Sequence, residues 1–275
     1  MKLSHKITIF FTLFIIVTIN SQEKLKGNKN VTTEDRTISD FNKLEVIDDI
    51  DVFLTYNEIQ SVNVEADSNL QEAVITEVNN GTLVIKLSDK IVRKKELVVH
   101  IKVNKKLKEI NSYNAAKIKS KNSLAIDSLT INTFDNSDID LKLNSNIVKI
   151  NSKKSSDLKL EILSSSILIN AEESSDIKGT FDTKEAIFTL LDKASINIDG
   201  STTIFEIETL GNTSFKGKDF KSDKAFINAT NASNTYINVK KTIDIRAKNS
   251  AEVYLYSNPK ITMTEFFDKA SLNKR

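Results

Sequence analysis

A repeat of about nineteen residues runs through the second half of the chain and constrains its fold more than any other feature. Each repeat carries a small residue at the same place, and seven successive gaps between these residues stay close to nineteen. The small residues are Ser137, Ser156, Ser175, Ala194, Thr213, Ser233, Ala251 and Ala270. A repeat of this length is typical of a solenoid, in which each coil stacks on the one before it.

Apolar residues recur at fixed distances from the small residue and alternate with polar ones. Ile131, Ile150 and Ile169 stand six positions before it, and Ile139 and Leu158 stand two positions after it. This period of two indicates strands, and the Ser, Asn and Asp clusters favour tight corners over helix. The sequence therefore predicts an all-β fold, a right-handed parallel β-helix with coils of about 19 residues, over 110–275.

The region before the repeats, 41–109, predicts irregular strands that lead into the β-helix. Two strand-like runs flank Asn79-Asn80-Gly81, which is a strong signal for a hairpin because Asn and Gly tolerate positive φ. We expect 41–275 to form one domain. Residues 22–40 are polar and charged, so we predict a disordered linker there.

Residues 1–21 read as a signal peptide. Lys2 and Lys6 precede the apolar run 7–17, and Ser21 offers a small residue for cleavage. An uncleaved anchor is the alternative, although the run is shorter than a membrane span requires. We expect an exported protein located in the periplasm, on the outer cell surface or in the medium, without a transmembrane segment after cleavage.

Composition excludes several functional classes. The chain has no Cys and two His, of which only His100 lies outside the leader, so thiolate and multi-His metal sites are excluded. Basic and acidic residues balance once the leader is removed, whereas a nucleic-acid-binding protein normally has a basic excess. The motifs of nucleotide-binding loops, serine hydrolases and zinc proteases do not occur.

Three groups of side chains are candidates for function. Asp138, Asp157 and Asp176 follow the small residue in successive coils and would stack about 4.8 Å apart. They could bind Ca²⁺ or act as acid and base on a sugar. We favour a solvated corner, because Asp, Ser and Asn are common in turns and the column ends after three coils.

The second group is a column of amides, and the third is aromatic. Stacked amides either form a structural ladder, which we favour, or a polar binding stripe. The column comprises Asn111, Asn132, Asn151 and Asn170. The aromatic residues gather in the last coils, where they would cap the solenoid or hold a glycan or protein. They are Tyr236, Tyr254, Tyr256, Phe266 and Phe267.

The order of features resembles the auto-transporter adhesin head GIN-domain family of Bacteroidetes-type envelope proteins. The resemblance rests on a strand pattern, on the small-residue corners and on an ending of the Val-Tyr-x-x-Gly-x-Pro type. The strand pattern comprises Arg36, Phe41, Val46, Asp51-Val52, Leu54, Val62, Val64, Asn69-Leu70, Asn80-Gly81, Leu83 and Ile85, and the ending is 253–259. In this sequence the corner glycines of the family are replaced by Ser, Ala or Thr, and Ser257 replaces the glycine of the ending.

The resemblance implies a right-handed β-helix, an envelope location and no catalytic residues. We therefore expect a non-enzymatic, adhesin-like binding module without a cofactor, Ca²⁺ at the Asp column aside. Its partner would be a glycan or an envelope protein, and not nucleic acid. A self-associating structural protein and a β-helix carbohydrate-active enzyme are the alternatives.

Overall fold

The computed structural model describes residues 24–275. The structure is almost entirely β, with 69% strand, and forms a β-solenoid of about 9 turns at a spacing of about 19 residues. The predicted fold class is thereby confirmed. The predicted signal peptide at 1–21 lies outside the described residues. Among residues 24–275 no helix has the length and hydropathy needed to cross a membrane.

The strands before the repeats include both parallel and antiparallel pairs. They are β1 (Lys24–Lys26), β2 (Val31–Arg36), β3 (Lys43–Val46), β4 (Asp51–Tyr56), β5 (Ser61–Asp67), β6 (Val74–Asn79), β7 (Thr82–Leu87), β8 (Lys90–Arg93) and β9 (Leu97–Val103). A short 3₁₀ helix, Ser68–Ala73, joins β5 to β6. The hairpin predicted at Asn79–Gly81 is confirmed, because β6 and β7 pair in antiparallel register and both Asn80 and Gly81 have positive φ.

The repeats contribute long parallel strands. They are β10 (Glu109–Ser112), β11 (Lys117–Ser120), β12 (Leu124–Ala125), β13 (Ser128–Thr133), β14 (Asp138–Ser152), β15 (Asp157–Ala171), β16 (Asp176–Asp182), β17 (Glu185–Asp192), β18 (Ser195–Gly211), β19 (Ser214–Thr230), β20 (Asn234–Lys248), β21 (Glu252–Leu255), β22 (Lys260–Phe266) and β23 (Ser271–Lys274). We call the segments that precede each small-residue corner the front face, and those that follow it the back face.

The small residues occupy buried corners as predicted. Ser137, Ser156 and Ser175 have no exposed surface, and each hydroxyl donates to the backbone carbonyl three residues earlier, at 2.6 to 2.9 Å. The preceding residues adopt positive φ, for example Lys154 and Ser155. A small side chain fits here because the corner turns directly against the core, and the hydroxyl satisfies a carbonyl that the corner would otherwise leave unpaired.

The prediction of a disordered linker over 22–40 was wrong for the described part of that range. Strand β2 pairs in antiparallel register with β5, and β1 pairs in parallel with β8. Arg36 donates from Nη2 to the backbone oxygen of Gln71 at 2.8 Å. Residues in β2 are exposed or half-buried because the strand lies at the outer edge of the sheet, so its sequence lacks apolar alternation.

The stacking order at the N-terminal end differs from the order in the chain. Strands β3 and β4 pair with β10 and β11 on one side and with β7 and β9 on the other. The coil formed first in sequence is therefore sandwiched between two later ones. Antiparallel strands β5 and β6 pair with β9 and β7, so the edges of the outermost coil are covered.

The core changes character along the solenoid. In the coils up to Ala171 it consists mainly of Ile, Leu and Val, with some Ala and the single Phe41. The following coils enclose five phenylalanines in mutual contact, with ring centroids 5.1 to 6.4 Å apart. These are Phe181, Phe188, Phe205, Phe215 and Phe220. Gly200 makes room nearby, because a Cβ there would lie 2.2 Å from the carbonyl oxygen of Phe181.

Candidate functional site

The predicted Asp column exists as a stack of cross-strand neighbours. Asp138 pairs in register with Asp157, and Asp157 with Asp176. Lysines flank the stack: Lys178 forms an ion pair with Asp176, and this contact raises the pKa of Lys178. Within residues 24–275 no group of three acidic or imidazole side chains is placed to hold a metal ion. Calcium binding at the column stays a prediction that the geometry does not favour.

The predicted amide column forms a continuous hydrogen-bonded chain on the front face. Asn132 donates to Asn111 at 2.7 Å, Asn151 to Asn132 at 2.8 Å and Asn170 to Asn151 at 2.9 Å, each from Nδ2 to Oδ1. We call this set of four the amide ladder. Asn111 in turn donates to Glu109, whose carboxylate contacts Lys43 at 3.0 Å. The hydrogen bond from Lys43 lowers the pKa of Glu109.

The ladder stops at Asn170, although the column of equivalent positions continues through the later coils. Those positions hold Thr189, Glu208, Asn228 and Arg246. Among the described residues the one side-chain hydrogen bond within this continuation runs from Asn228 to Glu208, at 3.2 Å. The same column therefore satisfies its own polar groups in the early coils and leaves most of them available in the late ones.

A surface depression of about 340 Å³ lies over this continuation. Its outward-facing side chains come from four successive coils: Ile187, Thr189, Glu206, Glu208, Phe226, Asn228, Asp244 and Arg246. We call it the Phe226 depression. Phe226 lies at its centre with 49% of its surface exposed, in register between Glu206 and Asp244.

Strand alternation explains why this phenylalanine faces solvent. Its neighbours Ala225 and Ile227 point into the core and are 1% and 2% exposed. Because successive side chains of a strand point to opposite faces, Phe226 must point outward. An exposed large aromatic residue on a strand whose other face is well packed is not required by the fold.

Within residues 24–275 the charged groups around Phe226 form no ion pair, whereas several charged groups elsewhere on the solenoid do. On the front face Lys43 contacts Glu109 at 3.0 Å, and on the back face Lys142 contacts Glu161 at 2.9 Å. In the part of the chain that the structure describes, no ion pair involves Glu206, Glu208, Asp244 or Arg246, although Asp244 accepts a hydrogen bond from Thr264 at 2.6 Å. Three carboxylates and one guanidinium thus surround an exposed ring.

Two other depressions are already crossed by ion pairs. One, of about 490 Å³, lies beside Ile59 and contains the pair of Lys106 and Asp40 at 2.6 Å. The other, of about 400 Å³, lies beside Leu163 and contains the pair of Lys142 and Glu161. A ligand would have to compete with these pairs, which makes the Phe226 depression the better candidate site.

The C-terminal aromatic residues are divided between surface and core. Tyr236 and Tyr254 stack on the back face with ring centroids 4.4 Å apart, and the guanidinium of Arg275 lies 5.2 Å from the Tyr254 ring. A hydrogen bond to Glu252 raises the pKa of Tyr254 to about 12. Phe266 packs against the core, whereas Phe267 is 48% exposed. Each tyrosine ring of the stack packs on the other, and Glu252 and Arg275 contact Tyr254, so this chain itself supplies the partners of the stack.

His100 lies on the outer side of β9 and does not belong to a site. Its ring stacks on Phe53 with centroids 5.8 Å apart, and Nε2 lies 3.1 Å from a carboxylate oxygen of Glu65. These contacts give the ring a structural role.

Sequence reasoning missed Phe226 and its surroundings, although a signal was present. Thr130 and Lys149 hold the matching outward positions in the first ladder coils, whereas apolar residues appear there from the last ladder coil onward: Leu168, Ile187 and Phe226. Apolar residues at outward positions break the alternation that otherwise marks each repeat. Their coincidence with the end of the asparagine column would have located the depression.

Comparison with known proteins gives one family and several similar folds. The family model described as "Putative auto-transporter adhesin, head GIN domain" matches residues 40–163 and 161–259. No curated protein shows significant sequence similarity to the chain.

Among solved structures, a putative lipid binding protein from Parabacteroides distasonis is similar with a TM-score of 0.65 and 20% identity, over 92% of this chain and 100% of that one. A putative adhesin from Parabacteroides merdae gives a TM-score of 0.59 and 18% identity, over 92% and 99%. A putative adhesin from P. distasonis gives 0.60 and 15%, over 92% and 100%. At such identities these likenesses show the fold alone.

Proposed function

The chain belongs to the auto-transporter adhesin, head GIN-domain family, as its sequence resemblance indicated, and from that membership we propose that it is an exported, non-catalytic binding module that recognises its partner through the Phe226 depression. The family and two of the three similar solved structures are described as adhesins, which suggests an exported or cell-surface protein that binds a surface ligand.

The observation that carries the proposal is the exposed Phe226 ring among polar groups that lack ion pairs. Aromatic residues contribute most of the affinity in many interfaces, because they bury a large area at small entropic cost. Among the described residues Glu206 and Arg246 have no side-chain partner, so they can bond to a ligand without first losing one, whereas Glu208 and Asp244 each accept one internal hydrogen bond. The depression spans four coils, so recognition would use several shallow contacts.

One similar structure is described as a putative lipid binding protein, and that description applies to that protein. In this chain the five-phenylalanine core is buried, with each ring at most 2% exposed. The Phe226 depression is open and lined by three carboxylates, which repel anionic lipid headgroups. We therefore propose a polar surface ligand rather than a lipid.

Binding of the purified chain to bacterial envelope fractions and to host-matrix preparations tests this proposal. Phe226→Ala should weaken saturable binding at least tenfold, since it removes the central apolar contact. Phe267→Ala is the matched control, because Phe267 is equally exposed and lies outside the depression. Equal binding by both variants, or no saturable binding of the parent chain, would contradict the proposal.

A second candidate, self-association, rests on the last coil. Among the described residues β22 and β23 each pair with a preceding strand and with no following one, and Met263 on β22 is 49% exposed. Open edges of this kind pair readily with another chain. Sedimentation that changes with protein concentration and is suppressed by Met263→Lys would support this candidate, and a monomer at all concentrations would exclude it.

A further inference from the structure

We propose that the ligand of the Phe226 depression is a saccharide without acidic groups, bound across the strands of the front face. This inference rests on the proposed function, because it names the ligand class of the same depression. Three features support it: the exposed apolar ring of Phe226, the mixture of hydrogen-bond donors and acceptors around that ring, and the net negative charge of the depression.

Phe226 offers an apolar surface bordered by polar groups. Its ring projects from the outer surface of the sheet, in register between Glu206 and Asp244. Ile187 lies one coil beyond Glu206. A pyranose ring has an apolar face of C–H groups and an equatorial rim of hydroxyls. It can therefore pack its flat face on the phenyl ring while its rim reaches the surrounding polar side chains.

The surrounding side chains present both acceptors and donors. Glu206, Glu208 and Asp244 accept, and Arg246 donates from a planar fork. Thr189 and Asn228 can do both. A sugar hydroxyl also donates and accepts, so a set with both kinds of group matches it, whereas a purely cationic ligand would leave the guanidinium opposed by like charge.

The balance of charge excludes acidic sugars. Three carboxylates and one guanidinium line the depression, and within residues 24–275 none of the four has an ion-pair partner. A uronate or sialate group would meet a negative field, while a neutral or amino sugar would not. The saccharide is therefore neutral or carries an amine.

The geometry of the solenoid favours a chain over a single sugar. Equivalent side chains of successive coils lie about 4.8 Å apart, close to the length of one sugar unit in an extended polysaccharide. The depression takes residues from four coils and is open along the front face. Successive sugar units would thus meet successive coils, with Phe226 beneath one of them.

The experiment is a titration of the full chain with soluble oligosaccharides, in which binding is measured by calorimetry or saturation-transfer NMR. The probes are short neutral β-glucan, chitin-type and chitosan-type chains, with oligogalacturonate as the acidic counterpart. We expect at least one neutral or amine-bearing chain to bind at least tenfold more tightly than oligogalacturonate. The difference in affinity between the chitosan-type chain and oligogalacturonate should become smaller as salt is added, because salt screens the charges of the depression.

Four variants locate the site. Phe226→Ala should weaken binding tenfold or more and Glu206→Gln about threefold or more, by loss of the ring and of one charged acceptor. Phe267→Ala and Glu185→Gln are the controls and should stay within twofold, because both residues are exposed and lie outside the depression.

The outcomes separate this inference from the proposed function. Envelope binding that depends on Phe226, resists periodate and is lost on protease treatment of the fraction would overturn the saccharide and leave the binding module standing. Phe226-dependent binding to lipid vesicles would do the same. If no oligosaccharide binds and no envelope fraction binds, both proposals fail.

Discussion

Two stretches of the front face differ in whether their outward polar side chains bond to each other. In the ladder coils, 109–171, four asparagines form three successive amide hydrogen bonds, and Glu109 at the start of the column is paired with Lys43. In the depression coils, 185–248, the same column holds four different residue types that share one hydrogen bond. A repetitive scaffold can thus carry a self-satisfied surface and an available one side by side.

The difference extends into the core. The ladder coils pack aliphatic side chains, and the depression coils pack five phenylalanines that depend on glycines for space. The ladder coils repeat one side chain along the column, whereas the depression coils place a different side chain in each coil.

The largest loss of stability should come from Gly200→Ala, which disturbs the backbone of the depression coils and leaves the ladder coils unchanged. Gly200 has φ of +112°, and its Cβ would approach the carbonyl oxygen of Phe181 to 2.2 Å. We expect a loss of about 3 kcal/mol or more in the free energy of unfolding, because backbone must move to relieve the contact. Denaturant titration measures this loss, and Thr203→Ala, exposed in the same strand, should change stability by less than about 0.5 kcal/mol.

A smaller effect should follow from extending the ladder into the depression with Glu208→Asn. Asn228 already donates to residue 208, and an amide there reproduces the asparagine pair of the earlier coils. We expect a gain of about 0.5 kcal/mol in stability together with weaker ligand binding, because one acceptor is withdrawn from the depression. Glu185→Asn, on the same face and outside the column, should give neither change. A variant that binds as tightly as the parent would show that position 208 does not face the ligand.

The smallest effect concerns the carboxylate at the start of the ladder. Lys43 lowers the pKa of Glu109 below its usual 4.5, so the pair stabilises the fold above that pH and loses its contribution as pH falls through the lowered value. Glu109→Gln should cost about 0.5 kcal/mol at neutral pH, and the difference from the parent should vanish in acid. Unfolding followed from neutral pH to below 4 measures this. A difference that persists in acid would assign the cost to the amide contact instead.

The repeat predicted much of this structure, because periodicity fixes register. Once Ser137, Ser156 and Ser175 are aligned, the strand pairs and the asparagine ladder follow. The N-terminal end has no repeat, so the placement of β3 and β4 between later strands and the pairing of β2 could not be derived. The choice of partner for each of these strands depends on tertiary contacts, which leave no local pattern in the sequence.

The candidate site was harder to predict for a related reason. The sequence drew attention to columns of like residues: the Asn column is hydrogen-bonded along its length, and in the Asp column Asp176 is paired with a lysine. The Phe226 depression instead consists of unlike residues that share a face only because the coils stack. Its detection required knowing which side chains point outward and which of them lack ion pairs.

A matched pair of asparagine variants tests the central claim most directly. Asn151 belongs to the amide ladder and Asn228 to the depression, and both lie in the same column of the front face. Unfolding and binding to the same envelope fraction should be measured for Asn151→Ala and Asn228→Ala. The account predicts that Asn151→Ala loses about 1 to 2 kcal/mol of stability and binds normally, since two amide hydrogen bonds disappear. It predicts that Asn228→Ala keeps its stability within about 0.5 kcal/mol and binds several-fold more weakly. If both variants lose stability alike and bind alike, the two stretches do not differ in function and the account is wrong.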